Sequence, residues 1–239
     1  YYDIVIIGAG IVGLTIAYLI SEKQKGLSIL ILDKENKIGA HSSGRNSGVL
    51  HAGIYYKPNT LKANVSVKGA KLLKEWCLSE SLPILSCGKV IAPQSIELDP
   101  QLDMLLERGK QNGAKVEMID SKEFYRLLPH GRTSSGRALW SPNTAVVKPY
   151  LVLNKLMKIL IDRGVKFQFN SILNEVFIRE KSLMIFNKNE LKKVFYGHLF
   201  NCAGVQADRI AKKFNLANGL IILPFKGIYW ELKKDAPFK

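Results

Sequence analysis

The first 33 residues constrain the fold of this chain more than any other stretch. Residues 2–7 are an apolar, β-branched run that predicts a buried strand, and residues 8–13 read Gly-Ala-Gly-Ile-Val-Gly. Residues 14–20 predict a helix, residues 27–32 predict a second buried strand, and Asp33 stands 20 residues after the last glycine. This order of strand, glycine turn, helix, strand and acid predicts a dinucleotide-binding βαβ unit.

Each part of this unit has its own predicted role. Gly8 allows a sharp turn out of the strand, Gly10 lets a diphosphate approach the backbone, and Gly13 lets the helix pack closely on the sheet. The unpaired N–H groups at the start of the helix favour a phosphate. The carboxylate of Asp33 can accept hydrogen bonds from a ribose 2′-hydroxyl and disfavours a 2′-phosphate.

Residues 4–20 carry no charge, which raises the alternative of a signal peptide or a membrane span. No Lys or Arg precedes them, and three glycines interrupt them. A spanning helix needs roughly 20 apolar residues, and this stretch is shorter. We therefore expect neither a signal peptide nor secretion.

Composition limits the class of protein and its partners. The net charge is +15, but no run of five basic residues occurs, so we expect no nucleic-acid partner and leave open a weak attraction to an anionic membrane surface. The three cysteines, Cys77, Cys87 and Cys202, form no C-x-x-C motif, which indicates a reducing compartment and no metal site. We expect a cytoplasmic protein, with contact at the inner face of the membrane left open.

Local patterns predict further elements along the chain. We predict that Thr60 caps a helix over 61–78 and that Ser121 caps a later helix. Two of the predicted strands form a hairpin across residues 187–189. Strands are predicted over 83–92, 182–186, 191–196, 199–204 and 221–232. The small residues at the end of 199–204 fit either a tight turn or the close approach of a cofactor.

The polar stretch 39–48 leaves the end of the second strand, on the side where a dinucleotide would lie. It has the composition of a plain loop, and equally of a loop that wraps a diphosphate. His51 follows it within an apolar segment. Its imidazole could be a satisfied core group or a proton acceptor.

Several blocks together resemble one family. The blocks are residues 41–56 (HSSGRNSGVLHAGIYY), Cys87-Gly88-Lys89, 142–147, 201–204 with 207–210, and 224–227. The chain resembles the L-2-hydroxyglutarate dehydrogenases/oxidases, which belong to the D-amino-acid-oxidase-like flavoproteins. The resemblance implies FAD rather than NAD. It also implies an α/β (α+β) fold in which a Rossmann-like FAD-binding domain (1–75 and 145–215) is interleaved with a mixed-sheet substrate domain (76–144 and 216–239).

The resemblance also implies a set of cofactor-binding residues. By matched position, Val176 would meet the adenine through its backbone, and Ala203 and Gly204 would pack near the ribityl chain. The full implied set is Gly8, Gly10, Ile11, Val12, Gly13, Asp33, Lys34, Ser42, Ser43, Asn46, Ser47, Gly48, Val176, Cys202, Ala203 and Gly204.

The implied reaction is oxidation of L-2-hydroxyglutarate to 2-oxoglutarate by hydride transfer from C2 to the flavin N5. His51 would take the hydroxyl proton. The carboxylates would need cationic partners, for which Lys226 ranks ahead of Lys89 and Arg45, although family members tend to carry Arg in place of Lys226. Tyr55 and Tyr56 would line the flavin face or belong to the core.

Two alternatives stay open beside this reaction. The same framework in relatives oxidises amino acids, so an FAD-dependent amine oxidase is one of them. The second alternative is a truncated, non-catalytic remnant, because family members continue well beyond the position matched by Lys239. The electron acceptor could be oxygen, a quinone or a carrier protein.

Overall fold

The computed structural model describes residues 1–228, 233 and 235. Its strands are β1 (Tyr2–Ile7), β2 (Ile29–Leu32), β3 (Val49–Leu50), β4 (Ile84–Leu85), β5 (Lys89–Ile91), β6 (Glu117–Ile119), β7 (Ala138–Ser141), β8 (Ala145–Val147), β9 (Lys166–Gln168), β10 (Ser171–Phe177), β11 (Ser182–Asn187) and β12 (Glu190–Asn201). Its helices are α1 (Ile11–Lys23), α2 (Leu61–Ser79), α3 (Pro100–Gln111), α4 (Ser121–Leu127), α5 (Pro149–Asp162) and α6 (Ala207–Lys213).

The chain divides into two compact units. The first contains Tyr1–Ala40 and the residues from Leu156 onward, and the second contains His41–Lys155. The chain therefore leaves the first unit after Ala40 and returns to it within α5. The assignment of 1–75 and 145–215 to a cofactor domain, and of 76–144 and 216–239 to a substrate domain, stays a prediction. Residues 229–232, 234 and 236–239 lie outside the described part of the chain.

The first unit is built on a six-stranded sheet in the order β10-β11-β12-β1-β2-β9. The strands β12, β1, β2 and β9 run parallel, and helix α1 connects β1 to β2. Residues 4–7 and 29–32 are all buried, as expected for parallel strands that are covered on both faces. The predicted βαβ unit and the α/β class are confirmed.

Strand β12 differs from the sequence prediction. The predicted hairpin strand 191–196 and the predicted buried strand 199–204 are parts of one 12-residue strand. Its first half pairs antiparallel with β11, and its second half pairs parallel with β1 from Tyr196 onward. At the change of partner, a Cβ on Gly197 would lie 2.7 Å from the carbonyl oxygen of Asp3. The glycine therefore permits the close approach of β1 to β12 at this point.

The second unit holds two three-stranded antiparallel sheets, β3-β8-β4 and β5-β7-β6. The single strand predicted over 83–92 is wrong, because β4 and β5 belong to different sheets. Gly88 separates them with a positive φ of 69°, and its N–H donates to the carbonyl of Thr144. A Cβ at this position would lie 2.0 Å from the Trp140 ring, so only glycine allows this turn.

Side chains cap the N-termini of α2 and α4. Thr60 caps α2 as predicted, since its hydroxyl accepts a hydrogen bond from the Ala63 N–H at 3.2 Å. Helix α4 is capped by Asp120, whose carboxylate accepts from the Glu123 N–H at 2.9 Å, and not by Ser121. Residues 221–228 form no strand, and residues 229–232 of that prediction lie outside the described residues. In the described part of the chain, no helix is both long enough and apolar enough to cross a bilayer.

Candidate functional site

The turn between β1 and α1 depends on glycine for close backbone contacts. Gly8 has a φ of +113°, and a Cβ there would lie 2.2 Å from the carbonyl oxygen of Cys202. A Cβ on Gly13 would lie 2.0 Å from the carbonyl oxygen of Gly8. The Gly8 N–H also donates to the Leu32 carbonyl at 2.7 Å. These contacts pack the turn tightly between β12, α1 and β2.

The N-terminus of α1 has the features of an anion site. Gly10 precedes the helix with extended backbone, at φ −84° and ψ 179°, and provides no side-chain cap. The first turn, which begins at Ile11 and includes Val12, contains no acidic residue. A helix start with no side-chain cap from Gly10 and no acidic residue in its first turn fits a phosphate, because the positive end of the helix dipole lies there.

Asp33, at the end of β2, is bonded to the glycine turn. Its Oδ2 accepts from the Ala9 N–H at 2.7 Å, and its Oδ1 accepts from the Glu35 N–H at 2.9 Å. Lys34 forms an ion pair with Glu35 at 3.3 Å. Each carboxylate oxygen of Asp33 still has acceptor capacity for a ribose hydroxyl.

The end of β12 meets the same edge of the sheet. The Cys202 N–H donates to the Ile7 carbonyl at 2.8 Å, which places residues 202–204 beside the glycine turn. Burial raises the pKa of the Cys202 thiol and keeps it protonated. Gly204 has a φ of +56°, and a Cβ there would meet no heavy atom within 4 Å. The first unit therefore brings the predicted residues around Gly8, Asp33 and Ala203 to one edge.

Val176 is not brought to this edge. The start of β10 lies beside Asp33, where the Ser171 N–H donates to the Asp33 carbonyl at 2.9 Å. Val176 lies five residues further along, roughly 16 Å at the usual rise of a strand. There it pairs with Leu183 and packs against the main hydrophobic cluster. The backbone beside Asp33 belongs to Asn170 and Ser171, which sequence reasoning did not select.

In the second unit, Asn46 organises the loop over residues 41–48. Its Nδ2 donates to the carbonyls of Ser42 and Ser43, each at 3.0 Å, and its Oδ1 accepts from the Gly48 N–H at 2.9 Å. A Cβ on Gly48 would lie 2.0 Å from the Val147 carbonyl oxygen. The side chain of Asn46 is therefore used inside the loop. Arg45 and Ser47 are exposed at its surface.

The loop that carries His51 is held by Asn112, which the sequence analysis did not select. The Asn112 Nδ2 donates to the carbonyls of Gly53 and Tyr56, at 2.8 and 2.9 Å. A Cβ on Gly53 would lie 2.6 Å from a methyl group of Val67. An Asn before a glycine at a helix end usually signals only a helix stop, so its long-range role has no local signature.

His51 has an aromatic neighbour and a cation close by. The rings of His51 and Tyr55 are 6.2 Å apart in an edge arrangement. The Lys89 Nζ donates to the Tyr55 hydroxyl at 2.6 Å. Partial burial of the imidazole and, secondly, the charge of Lys89 lower the pKa of His51. The neutral imidazole is therefore favoured, which is the form that accepts a proton.

Lys226 lies in the first unit, in the exposed segment 221–228. The Ile222 N–H of this segment donates to a carboxylate oxygen of Asp208 at 3.2 Å. The predicted catalytic residues His51 and Arg45 lie in the second unit. Their shared role with Lys226 stays a prediction.

The chain matches a known family along almost its whole length. A sequence model of the DAO family, described as FAD dependent oxidoreductase, matches residues 3–239. The chain is 35% identical over 238 residues to the mitochondrial L-2-hydroxyglutarate dehydrogenase of Caenorhabditis elegans, covering 98% of this chain and 54% of that protein. It is 32% identical over 247 residues to the L-2-hydroxyglutarate dehydrogenase of Indibacter alkaliphilus, covering 99% and 59%. The chain thus spans little more than half the length of these curated relatives.

Solved structures of similar fold have lower sequence identity. The L-α-glycerophosphate oxidase of Mycoplasma pneumoniae, solved with FAD bound, has a TM-score of 0.78 at 24% identity and covers 88% of this chain and 56% of its own. The glycine oxidase of Geobacillus kaustophilus has a TM-score of 0.81 at 14% identity, covering 90% and 59%. These likenesses support the fold, and the family match covers the same residues. The chain therefore belongs to the DAO family of FAD dependent oxidoreductases.

Proposed function

We propose that the polypeptide containing these residues oxidises L-2-hydroxyglutarate to 2-oxoglutarate, with FAD as its redox cofactor. The observation that carries this proposal is the similarity, over 98–99% of the chain, to L-2-hydroxyglutarate dehydrogenases at 32–35% identity. The glycine oxidase of similar fold has only 14% identity. The whole-chain relatives therefore favour a hydroxy acid over an amino acid as the substrate.

The glycine turn and its neighbours fit the nucleotide half of FAD. The start of α1, which Gly10 provides with no side-chain cap, would hold the diphosphate, and Asp33 would accept hydrogen bonds from the ribose. Residues 202–204 provide open space beside the turn at Gly204. In the second unit, the loop over 41–48 and its residues Ser42, Ser43, Asn46, Ser47 and Gly48 remain proposed cofactor contacts.

His51 would act on the hydroxyl proton of the substrate. When bound, FAD would supply the two-electron acceptor for the hydride that leaves C2. The neutral imidazole of His51 would take the hydroxyl proton onto its unprotonated ring nitrogen, so the C–O bond becomes a carbonyl. The lowered pKa of His51 keeps that nitrogen available near neutral pH. Arg45 and Lys226 remain proposed partners for substrate carboxylates.

Anaerobic reduction of the complete, FAD-loaded polypeptide tests this proposal. L-2-hydroxyglutarate should bleach the flavin absorbance and release 2-oxoglutarate, whereas D-2-hydroxyglutarate, glycine and L-proline should not. Bleaching by an amino acid alone would instead identify an amine oxidase. A folded polypeptide that retains no FAD would identify a non-catalytic remnant. Reoxidation of the reduced protein by oxygen or by a soluble quinone would then identify the electron acceptor.

A further inference from the structure

Three side chains of the second unit form a cluster, which we call the His51–Tyr55–Lys89 cluster. The Lys89 Nζ donates to the Tyr55 hydroxyl at 2.6 Å and lies 4.4 Å from the centre of the Tyr55 ring. The same ring lies 6.2 Å from the His51 ring, at an interplanar angle of 74°. One phenol therefore contacts both the imidazole and the ammonium group.

The charge of Lys89 is not neutralised by a carboxylate in the described part of the chain. Other cations of this unit do form ion pairs, as Arg137 does with Asp103 at 3.0 Å and Lys155 with Glu80 at 2.9 Å. Lys89 is half-buried, and an ammonium group has three N–H donors, of which Tyr55 takes one. A half-buried cation with spare donors is suited to binding an anion.

The cluster combines two properties that oxidation of a 2-hydroxy acid requires. Partial burial of the imidazole and, secondly, the charge of Lys89 on β5 lower the pKa of His51, and the Tyr55 ring of the same loop lies 6.2 Å from the His51 ring. The imidazole is then a proton acceptor, and the ammonium group hydrogen-bonded to the neighbouring phenol can donate hydrogen bonds to a carboxylate. In a 2-hydroxy acid the carboxylate and the reacting hydroxyl are on adjacent carbons. The cation that binds the carboxylate and the base that accepts the hydroxyl proton must therefore lie close together.

We propose that Lys89, oriented by Tyr55, holds a carboxylate of the 2-hydroxy acid beside His51. This inference rests on the proposed function and adds a specificity-determining residue to it. Tyr55 is a positioning residue, because its hydroxyl fixes the ammonium group rather than the substrate. Lys89 and His51 belong to the same compact unit, whereas Lys226 belongs to the other one.

Steady-state kinetics on the complete, FAD-loaded polypeptide test the role of Lys89. Lys89→Met should raise the KM for L-2-hydroxyglutarate at least about tenfold with a smaller effect on kcat, since a hydrogen bond to a charged group is lost. Lys89→Arg should recover most of the affinity. Lys62→Met is the matched control, because Lys62 also lies over a tyrosine, with its Nζ 4.9 Å from the Tyr56 ring centre. It should leave KM unchanged.

Calorimetric titration with glutarate, an unreactive dicarboxylate, gives a second readout without turnover. Lys89→Met should weaken glutarate binding by a factor similar to the rise in KM, and Tyr55→Phe should weaken it at least about threefold through loss of the orienting hydrogen bond. If Lys89→Met fails to fold, the glutarate affinity of Tyr55→Phe tests the inference in its place. Unchanged KM and glutarate affinity in an active protein overturn this inference and leave the proposed function standing. A wild-type protein that oxidises no 2-hydroxy acid overturns both.

Discussion

Asp33 accepts a 2.7 Å hydrogen bond from the backbone N–H of Ala9, and this contact ties the end of β2 to the glycine turn before α1. Its second oxygen accepts from the Glu35 N–H at 2.9 Å. The carboxylate therefore stabilises the shape of the turn in addition to its proposed contact with the ribose. Asp33 links the stability of the βαβ unit to its capacity for a dinucleotide.

Asp33→Ala should lower both the free energy of unfolding and the affinity for FAD. The loss in unfolding free energy should be about 1.5–3 kcal/mol, because two backbone donors lose a charged acceptor. Urea unfolding and a flavin fluorescence titration measure the two effects. Asp120→Ala, which removes the cap of α4, is the control and should lower stability by about 1 kcal/mol without changing FAD affinity. Wild-type FAD affinity in Asp33→Ala would contradict the proposed ribose contact.

Gly13→Ala and Gly69→Ala should have opposite effects on stability, although both glycines are helical. A Cβ on Gly13 would lie 2.0 Å from the Gly8 carbonyl, so the turn must move or α1 must shift. A Cβ on Gly69 would meet nothing within 4 Å, so alanine should stabilise α2 by about 0.5–1 kcal/mol. Thermal unfolding of both variants checks the sign. Equal effects would show that the tight contact at Gly13 relaxes at no cost.

Asn112→Ala should release the loop that carries His51. Two backbone carbonyls, of Gly53 and Tyr56, lose their donor, and the expected loss of unfolding free energy is about 1–3 kcal/mol. Hydrogen exchange should also increase in residues 51–56. Gln111→Ala is the control, because the Gln111 side chain donates to Glu107 at an exposed surface, and it should change stability by less than about 0.5 kcal/mol. Unchanged exchange at 51–56 would count against this role.

Activity should depend on pH through His51. The pKa of this imidazole is lowered, so the protonated, inactive form accumulates only below the ordinary histidine range near pH 6.5. We therefore expect kcat/KM to be level above about pH 6.5 and to fall in acid. His51→Gln should lower kcat by about 100- to 10,000-fold. Lys89→Met should move the acid limb to higher pH, and an unmoved limb would argue against coupling between the two groups.

The loss of unfolding free energy in acid should depend on Arg137. This guanidinium donates to the carboxylates of Asp99 and Asp103, and hydrogen bonds from Arg137 and Ser135 lower the pKa of Asp99. A depressed carboxyl pKa adds stability above the unfolded pKa near 3.9, and this stability is lost as pH falls through the lower folded value. Arg137→Met should therefore flatten the acid dependence of unfolding. Lys71→Met, which removes an exposed i,i+4 pair with Glu75, is the control and should leave the acid dependence of unfolding unchanged.

Local sequence was sufficient to predict the elements that depend on nearby residues. The strand over Tyr2–Ile7, the helix after the glycine turn and the cap at Thr60 all have their signals within a few residues. The prediction of one strand over 83–92 is wrong, because its two halves pair with two different strands, each more than 40 residues away in the sequence. The predicted cap of α4 at Ser121 is wrong: Asp120 and Ser121 are both good capping residues, but Asp120 caps the helix and the Ser121 hydroxyl donates to the Gly136 carbonyl.

The sequence by itself determined the dinucleotide motif and the family, since glycine spacing, apolar runs and the blocks around His51 can each be recognised from residues that are close together in the chain. Only the tertiary structure decided which groups meet. It tied Asp33 to Ala9, made one strand of residues 190–201, and placed Lys89 against Tyr55, 34 positions earlier. The physical reason is that hydrogen bonds and charges act over a few ångströms of space, whereas sequence patterns report only on neighbours along the backbone.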